Sequence, residues 1–315
     1  MGRDDLINTT RAILAKGGFD ISPVMSLRSV SFDIVARKGD KLLIIKVLSN
    51  IDAFSRENAE EMKVLAEMLH ASPILIGERS SAGPLEPGIV YSRFNIQIIN
   101  NDTLADHVLE SEAPFIIAAP GGLYVKLNNS LLKDIREKEK ISLGTVAEIA
   151  GVSRRTIQMY ESGMGAMIDA ALRLEEYLNT PIIESVDPFE YRTEEVSVHY
   201  ELVGNAKTGS NVLDHLVEMG FAVTPVARSP FDAFTRNRDI VILTGLDSQD
   251  ERVIQKAMIA SDISRLVGNH SLIIVEKNHG RDNVESTALV TKDELKKMDD
   301  KNELTDVVMS RSGQQ

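Results

Sequence analysis

The sequence predicts a mixed α/β plus all-α architecture, with a helical module set between two α/β regions. Three observations carry this. First, four blocks near the N-terminus recur in the same order near the C-terminus. GFDISPV (18–24) returns as GFAVTPV (220–226), and FDIVARKGDKLLII (32–45) as FDAFTRNRDIVILT (231–244). SPILIGER (72–79) returns as HSLIIVEK (270–277), and IINNDTLADHV (98–108) as ALVTKDELKKM (288–298). In the longest block Phe32/Phe231, Asp33/Asp232, Arg37/Arg236 and Asp40/Asp239 align without a gap. Preserved order over four blocks points to an internal duplication rather than chance likeness. Second, the stretch between the copies is densely helical up to about residue 182. Third, a chain of 315 residues fits two or three domains of roughly 100–200 residues each. Its hydrophobic share of 43% is enough to build ordinary cores.

The elements follow in order. DLINTTRAILAK (5–16) spaces its apolar residues as a helix, and Gly17-Gly18 stops it. FDIVARKG and DKLLIIKVL are two strands joined at Lys38-Gly39-Asp40. NAEEMKVLAEMLHA (58–71) is amphipathic, with Met62, Leu65, Ala66 and Leu69 on one face. SPILIGE (72–78) and FNIQIIN (94–100) are short buried strands, separated by a loop rich in Ser, Gly and Pro. DTLADHVL (102–109) is a helix that Asp102 is placed to cap. APGGLYVKLN (119–128) marks a break and then a short strand. A polar linker, ESVDPFEYRTEE (184–195), precedes the second α/β region, and the tail after Met309 is expected to be disordered. The resulting division is 1–118, 119–183 and 184–315.

Composition narrows the function. The formal net charge of −12 argues against a surface coated throughout by nucleic acid, but not against a small DNA-binding module in an acidic body. Cysteine is absent, which excludes disulfides and thiolate metal sites. MGRDDLINTT has no signal-peptide pattern, Leu6 stands where a myristoylation signal needs Ser or Thr, and no apolar run of about 18 residues exists. A cytoplasmic protein with no membrane partner is expected. The six histidines show no metal spacing, and AKTGSN (206–211) lacks the glycine and Lys-Ser/Thr pattern of a phosphate loop. No cofactor is expected.

The core of the helical module is LGTVAEIAGVSRRTIQMYES (143–162), whose apolar positions fit two short helices crossing at a turn. Val146, Ile149 and Ala150 are expected to face inward on the first helix, and Val152, Ile157 and Tyr160 on the second. Ala147 falls where two helices approach, so its side chain must be small. Gly151 falls at the turn, where a positive φ is cheap only without a Cβ. Ser153 is placed to cap the second helix. The residues turned outward are Arg154, Arg155, Gln158, Met159 and Ser162, and no acid lies between Glu148 and Glu161. Arg suits guanine O6 and N7, Gln suits adenine N6 and N7, and Arg also neutralises phosphate. From the residues alone the two arginines cannot be told apart.

These residues resemble the helix-turn-helix of the Cro-type repressor family over about 50 residues, from LLKDIREKEKIS (131–142) through DAALRLEEYLNTP (169–181). The resemblance implies DNA contact through Ser153, Arg154, Arg155, Thr156, Gln158, Met159 and Ser162. Ala147, Gly151, Val152, Ile157 and Tyr160 then hold the motif. The chain departs from the family at Leu143, where a phosphate-binding Gln is common. The wider arrangement, GGLYVKLN leading into the motif between α/β regions, is similar to a family of archaeal transcriptional regulators. That likeness implies transcription regulation, double-stranded DNA as partner, and a homodimer with recognition helices about 34 Å apart.

The α/β regions resemble the restriction-endonuclease-like superfamily, whose signature is an Asp followed by Glu-x-Lys on the next strand. Both carboxylates hold a divalent metal that activates water, and the Lys supports that water. Asp33 and Lys46 fit, but Ile44 stands at the Glu position and offers no oxygen to a hard cation. In the second copy Asp232 remains, while Leu243 and Gly245 replace Glu and Lys. Three roles are open to Asp33 and Asp232. A metal site would need Asp52 or Glu57 to substitute. A structural role would pair them with Arg37 or Arg236, or with backbone. A retained cleft would bind nucleic acid or a small-molecule effector. The expectation is a DNA-binding regulator rather than an enzyme. The alternative is a metal-dependent nuclease targeted by the helix-turn-helix.

Overall fold

The computed structural model describes residues 2–23, 30–191, 207–248, 250–277 and 280–312. Val24, the linker end 192–195, His199, Ala206, His279 and 313–315, all part of the expectations above, lie outside the described residues. The elements run α1 (Arg3–Lys16), β1 (Asp20–Ile21), β2 (Ile34–Lys38), β3 (Lys41–Asn50), α2 (Arg56–Leu69), β4 (Ser72–Ser80), β5 (Gly83–Pro84), β6 (Ile89–Arg93) and β7 (Ile96–Ile99). There follow α3 (Asn101–Ala105), β8 (Ile116–Ala119), β9 (Gly122–Leu127), α4 (Asn129–Lys138), α5 (Leu143–Ala150), α6 (Arg154–Glu161), β10 (Ala166–Met167), α7 (Ile168–Leu178) and β11 (Ile183–Glu184). The chain closes with α8 (Asn211–Glu218), β12 (Ala222–Pro225), β13 (Ala233–Asn237), β14 (Ile240–Asp247), α9 (Asp250–Val267), β15 (His270–Val275), β16 (Asn283–Val284), β17 (Thr287–Thr291), α10 (Lys292–Leu295) and α11 (Lys301–Ser312).

Two local expectations are corrected. The cap of α3 is Asn100 and not Asp102, because the Asn100 side chain accepts from the Thr103 N–H at 2.9 Å and donates to the buried Leu85 carbonyl at 2.9 Å. Satisfying two backbone groups from one buried amide favours Asn over a carboxylate there. Ser310, Arg311 and Ser312 belong to α11 instead of a disordered tail. Arg311 holds them, bonding the Glu294 carboxylate at 2.7 Å and the Leu289 carbonyl.

The chain divides into two compact units that interleave along the sequence. The first comprises Met1–Gly17, Leu48–Ala53 and Ile74–Glu190. In it β4 pairs parallel with β7, β7 antiparallel with β6, β6 parallel with β8, and β8 antiparallel with β9. The sheet therefore passes through the 118/119 division. The reason is that β8 is hydrogen-bonded on one edge to β6 (Ile89↔Ile116, Val90↔Ile117) and on the other to β9 (Ile117↔Tyr124). Val125 and Leu127 of β9 also enter the core of the helical module, with Leu132, Val146, Ile157, Tyr160 and Leu174.

The second unit comprises Gly18–Val47, Phe54–Pro73 and Tyr191–Gln315. Its larger sheet has the order β12-β13-β14-β15-β17-β16, with β14, β15 and β17 parallel. Alternate residues of β15 face opposite sides. Leu272 and Ile274 pack with Leu216 of α8 and Leu304 and Val308 of α11, whereas Ile273 and Val275 pack with Val253 and Ala257 of α9. The hairpin β2-β3 lies in the same unit and repeats the register of β13-β14. Ile34 faces Ile45 and Val35 faces Ile44, as Ala233 faces Thr244 and Phe234 faces Leu243. The two segments meet: Arg37 Nη1 donates to the Leu266 carbonyl of α9 at 2.9 Å, and Arg228 Nη1 to Asn58 Oδ1 of α2 at 2.7 Å.

Candidate nucleic-acid interface

The helices of the motif start and stop on local signals. Ser142 Oγ accepts from the Thr145 N–H at 3.0 Å to open α5, and Ser153 Oγ accepts from the Thr156 N–H at 3.1 Å to open α6. Gly151 ends α5 at φ +70°, its N–H directed at the last carbonyls of that helix. The side chain of Arg173 on α7 donates to the Ala150 carbonyl at 2.6 Å, satisfying an end group that α5 cannot bond internally. Three residues thus turn the chain from α5 to α6.

Packing sets which face is left outward. Val146, Ala147, Ala150, Ile157 and Tyr160 are buried, as the spacing predicts. Ile149 and Val152 reach only half-burial at the margin of the same core. Leu143 also packs on that margin, so the position where the Cro-type family favours Gln contributes apolar contact here. Burial holds the Tyr160 hydroxyl in its neutral form, raising its pKa.

Arg154, Arg155, Gln158, Met159 and Ser162 are all exposed. Thr156 is half-buried, and its hydroxyl bonds that of Ser153 at 2.8 Å. Ser162 donates to the Gln158 carbonyl at 2.8 Å. The hydroxyls of Ser153, Thr156 and Ser162 are therefore engaged within α6 itself. Sequence reading missed the pair that neutralises Glu161, the acid at the end of α6. Arg136 of α4 makes a two-point contact with Glu161, Nη2 to Oε2 at 3.1 Å, and that bond raises the guanidinium pKa above its ordinary value. The partners lie on different helices, so no spacing rule reveals them. Neither Arg154 nor Arg155 pairs with a carboxylate among the described residues.

The nuclease-like positions are arranged differently. Asp33 is 6% exposed; its Oδ2 accepts from the Val47 N–H at 2.8 Å, and its Oδ1 lies 3.4 Å from Lys46 Nζ. Lys46 also donates to the Val30 carbonyl at 2.8 Å, and Ile44 is buried. Arg37, the expected partner of Asp33, bonds the Gly39 and Leu266 carbonyls instead. In the second copy Asp232 Oδ2 accepts from the Leu246 N–H at 2.7 Å. Lys256 Nζ of α9 lies 3.5 Å from Asp232 Oδ2 and 3.3 Å from Asp247 Oδ2. Asp247 shares its strand face with Leu243 and Gly245, a two-residue alternation that could have flagged it; Lys256 gives no such signal. Of the substitute carboxylates, Asp52 is held by the Ser81 N–H at 2.7 Å and Arg93 at 3.2 Å, which lowers its pKa, and Glu57 is exposed in the first turn of α2. Among the described residues no group of three or more His, Cys, Asp or Glu could hold a metal ion. Lys46 thus lies against Asp33, and Lys256 bridges Asp232 and Asp247.

Comparison with known proteins finds both kinds of domain in the chain. The model of a PD-(D/E)XK superfamily domain matches residues 3–114, and that of a helix-turn-helix matches residues 132–185. A protein of Methanocella arvoryzae is 39% identical over 99% of this chain and 97% of its own, and is named "Putative HTH-type transcriptional regulatory protein". Proteins whose names describe them in the same words occur in Methanoculleus marisnigri, 35% identical over 98% of this chain and 99% of its own, and in Natronomonas pharaonis, 36% identical over 99% of each. The chain belongs to this archaeal family of HTH-type transcriptional regulatory proteins. No solved structure matches it. In this family member the two matched regions leave β8 (Ile116–Ala119) and β9 (Gly122–Leu127) between them, and β8 pairs with β6 on one edge and with β9 on the other. No helix among the described residues is long and apolar enough to cross a membrane.

Proposed function

We propose that this protein is a sequence-specific DNA-binding transcriptional regulator, which lays α6 of a Cro-type helix-turn-helix in the major groove. One observation carries the reading. Arg154 and Arg155 stand exposed and unpaired at the start of a capped helix, while Arg136 neutralises Glu161 at its end. A helix that presents two exposed guanidinium groups in its first turn and an exposed Gln suits phosphate and base edges at once. Arg154, Arg155, Gln158 and Met159 make the contacts. Ser153, Thr156 and Ser162 border them, and Ala147, Gly151, Val152, Ile157 and Tyr160 hold the geometry.

The linear order is a nuclease-like region (1–118), the DNA-binding module (119–183) and a second nuclease-like region (184–315). The shared register of β2-β3 and β13-β14 supports a duplication. Both copies are catalytically silent and serve dimerisation or the sensing of a small-molecule effector. The protein works in the cytoplasm as a homodimer, without a cofactor.

Genome-wide sequencing of DNA bound to the protein tests this. The expected result is a set of sites with paired half-sites about one helical turn apart. Bound DNA no different from input would overturn the regulator reading. The nuclease alternative draws on the PD-(D/E)XK match at residues 3–114. Plasmid cleavage in Mg²⁺ or Mn²⁺ that disappears in Asp33→Ala would establish it.

A further inference from the structure

The strands that seat the helix-turn-helix have a second face. Side chains alternate along β9, so Val125 and Leu127 enter the core of the helical module while Tyr124 and Lys126 turn away from it. Residues paired across a sheet share a face. Ile117 of β8 and Met167 of β10 both lie opposite Tyr124, and a Cβ built on Gly122 would lie 3.5 Å from Met167 Cε on that side. Phe115, just ahead of β8, continues the alternation of Ile117. Phe115 is 50% exposed and Met167 47%, while Ile117 and Tyr124 are half-buried. These four make an apolar stripe across three strands. At its edge Lys126 Nζ meets Glu184 Oε2 of β11 at 3.0 Å, both side chains part-exposed.

We infer that this face is where two copies of the chain meet, and that the contact is too small to hold them together until DNA supplies two neighbouring half-sites. The inference rests on the DNA-reading function proposed above. Number, charge and size select a second copy as the occupant. One helix-turn-helix is matched in the chain, so paired half-sites need two chains. A formal net charge of −12 sets copies against each other over most of their surface. On this face the charges balance. A twofold contact brings one patch onto itself, so Lys126 and Glu184 can each meet its opposite across the axis. The four apolar side chains expose on the order of 300 Å², against roughly 800 Å² per partner in a stable interface. Such a contact is transient in free solution and adds to affinity only when one duplex holds both chains close. The opposite face of the same strands carries the core of α6, so pairing here also fixes the distance between the two recognition helices.

The test uses the full-length protein and duplexes carrying one or two copies of the half-site it selects from a random pool. Sedimentation velocity should show a monomer without DNA and two chains on the two-site duplex. Binding to that duplex should be cooperative, the second chain binding roughly tenfold or more tighter than the first. Moving one half-site by half a helical turn should remove the gain. Met167→Glu and Phe115→Glu each set like charges against each other across the twofold. Each should abolish the gain, while affinity for the one-site duplex stays as in wild type and so reports a folded module. Wild-type protein that selects a sequence but fills two sites independently would overturn the inference. So would a stable dimer without DNA, or cooperativity that both variants retain. Wild-type protein that enriches no sequence would instead sink the DNA-reading function itself.

Discussion

Two regions of this molecule carry basic residues in functional-looking places, and they treat charge in opposite ways. On α6, Arg154 and Arg155 are exposed and their nearest acidic neighbour on that helix, Glu161, is neutralised by Arg136. At the nuclease-like hairpins Lys46 of β3 is closed onto Asp33 and the Val30 carbonyl, and Lys256 of α9 onto Asp232 and Asp247. A free cation on a rigid frame is available to an external anion. A lysine closed onto a carboxylate of its own fold is internal structure, and removing one partner of a buried pair is costly. The comparison teaches that residue type at a family position says little until its partners are known.

The comparison breaks most visibly at α6. Replacing both Arg154 and Arg155 by Ala should lower affinity for a selected duplex by roughly a hundredfold or more, since each contact is worth about 1–3 kcal/mol. Fluorescence anisotropy against that duplex measures it, and circular dichroism should show an unchanged fold. In the hairpin the expected loss is of stability. Asp33→Ala strands Lys46 in a buried setting and should cost about 3 kcal/mol, read from the urea midpoint of the transition that includes the hairpin. The sequence selected by that variant should match wild type. Ser153→Ala sharpens the contrast with the smallest effect. Its hydroxyl is engaged as a cap, so the variant should lose about 1 kcal/mol of stability and shift affinity by only a fewfold.

Much of the helix-turn-helix was legible because its signals are local. A Ser three residues before the N–H it caps, and a Gly where the chain turns with positive φ, are properties of short windows. So were the hairpins, whose register repeats between copies. Other features escaped for physical reasons. Asn100 outcompetes Asp102 as a cap because it also meets the Leu85 carbonyl, which is far along the chain. Arg311 orders the C-terminal turn through Glu294, a partner no periodicity reveals. Lys256 reaches Asp232 from a separate helix. Arg154 of α6 approaches Gly144 of α5, a closeness between two helices that neither helix's own pattern reveals.

The pairing of β6 with β8 and of β8 with β9 bears on how such a protein can be rearranged by recombination. A gene fragment spanning 119–183 would carry the DNA-reading helices but leave β9 with an uncovered edge, open to pairing with another chain. A transplantable piece must bring β8 with it, and a strand to stand in for β6. The reader and the strands that seat it are therefore inherited together, and a crossover between residues 93 and 116 would separate them.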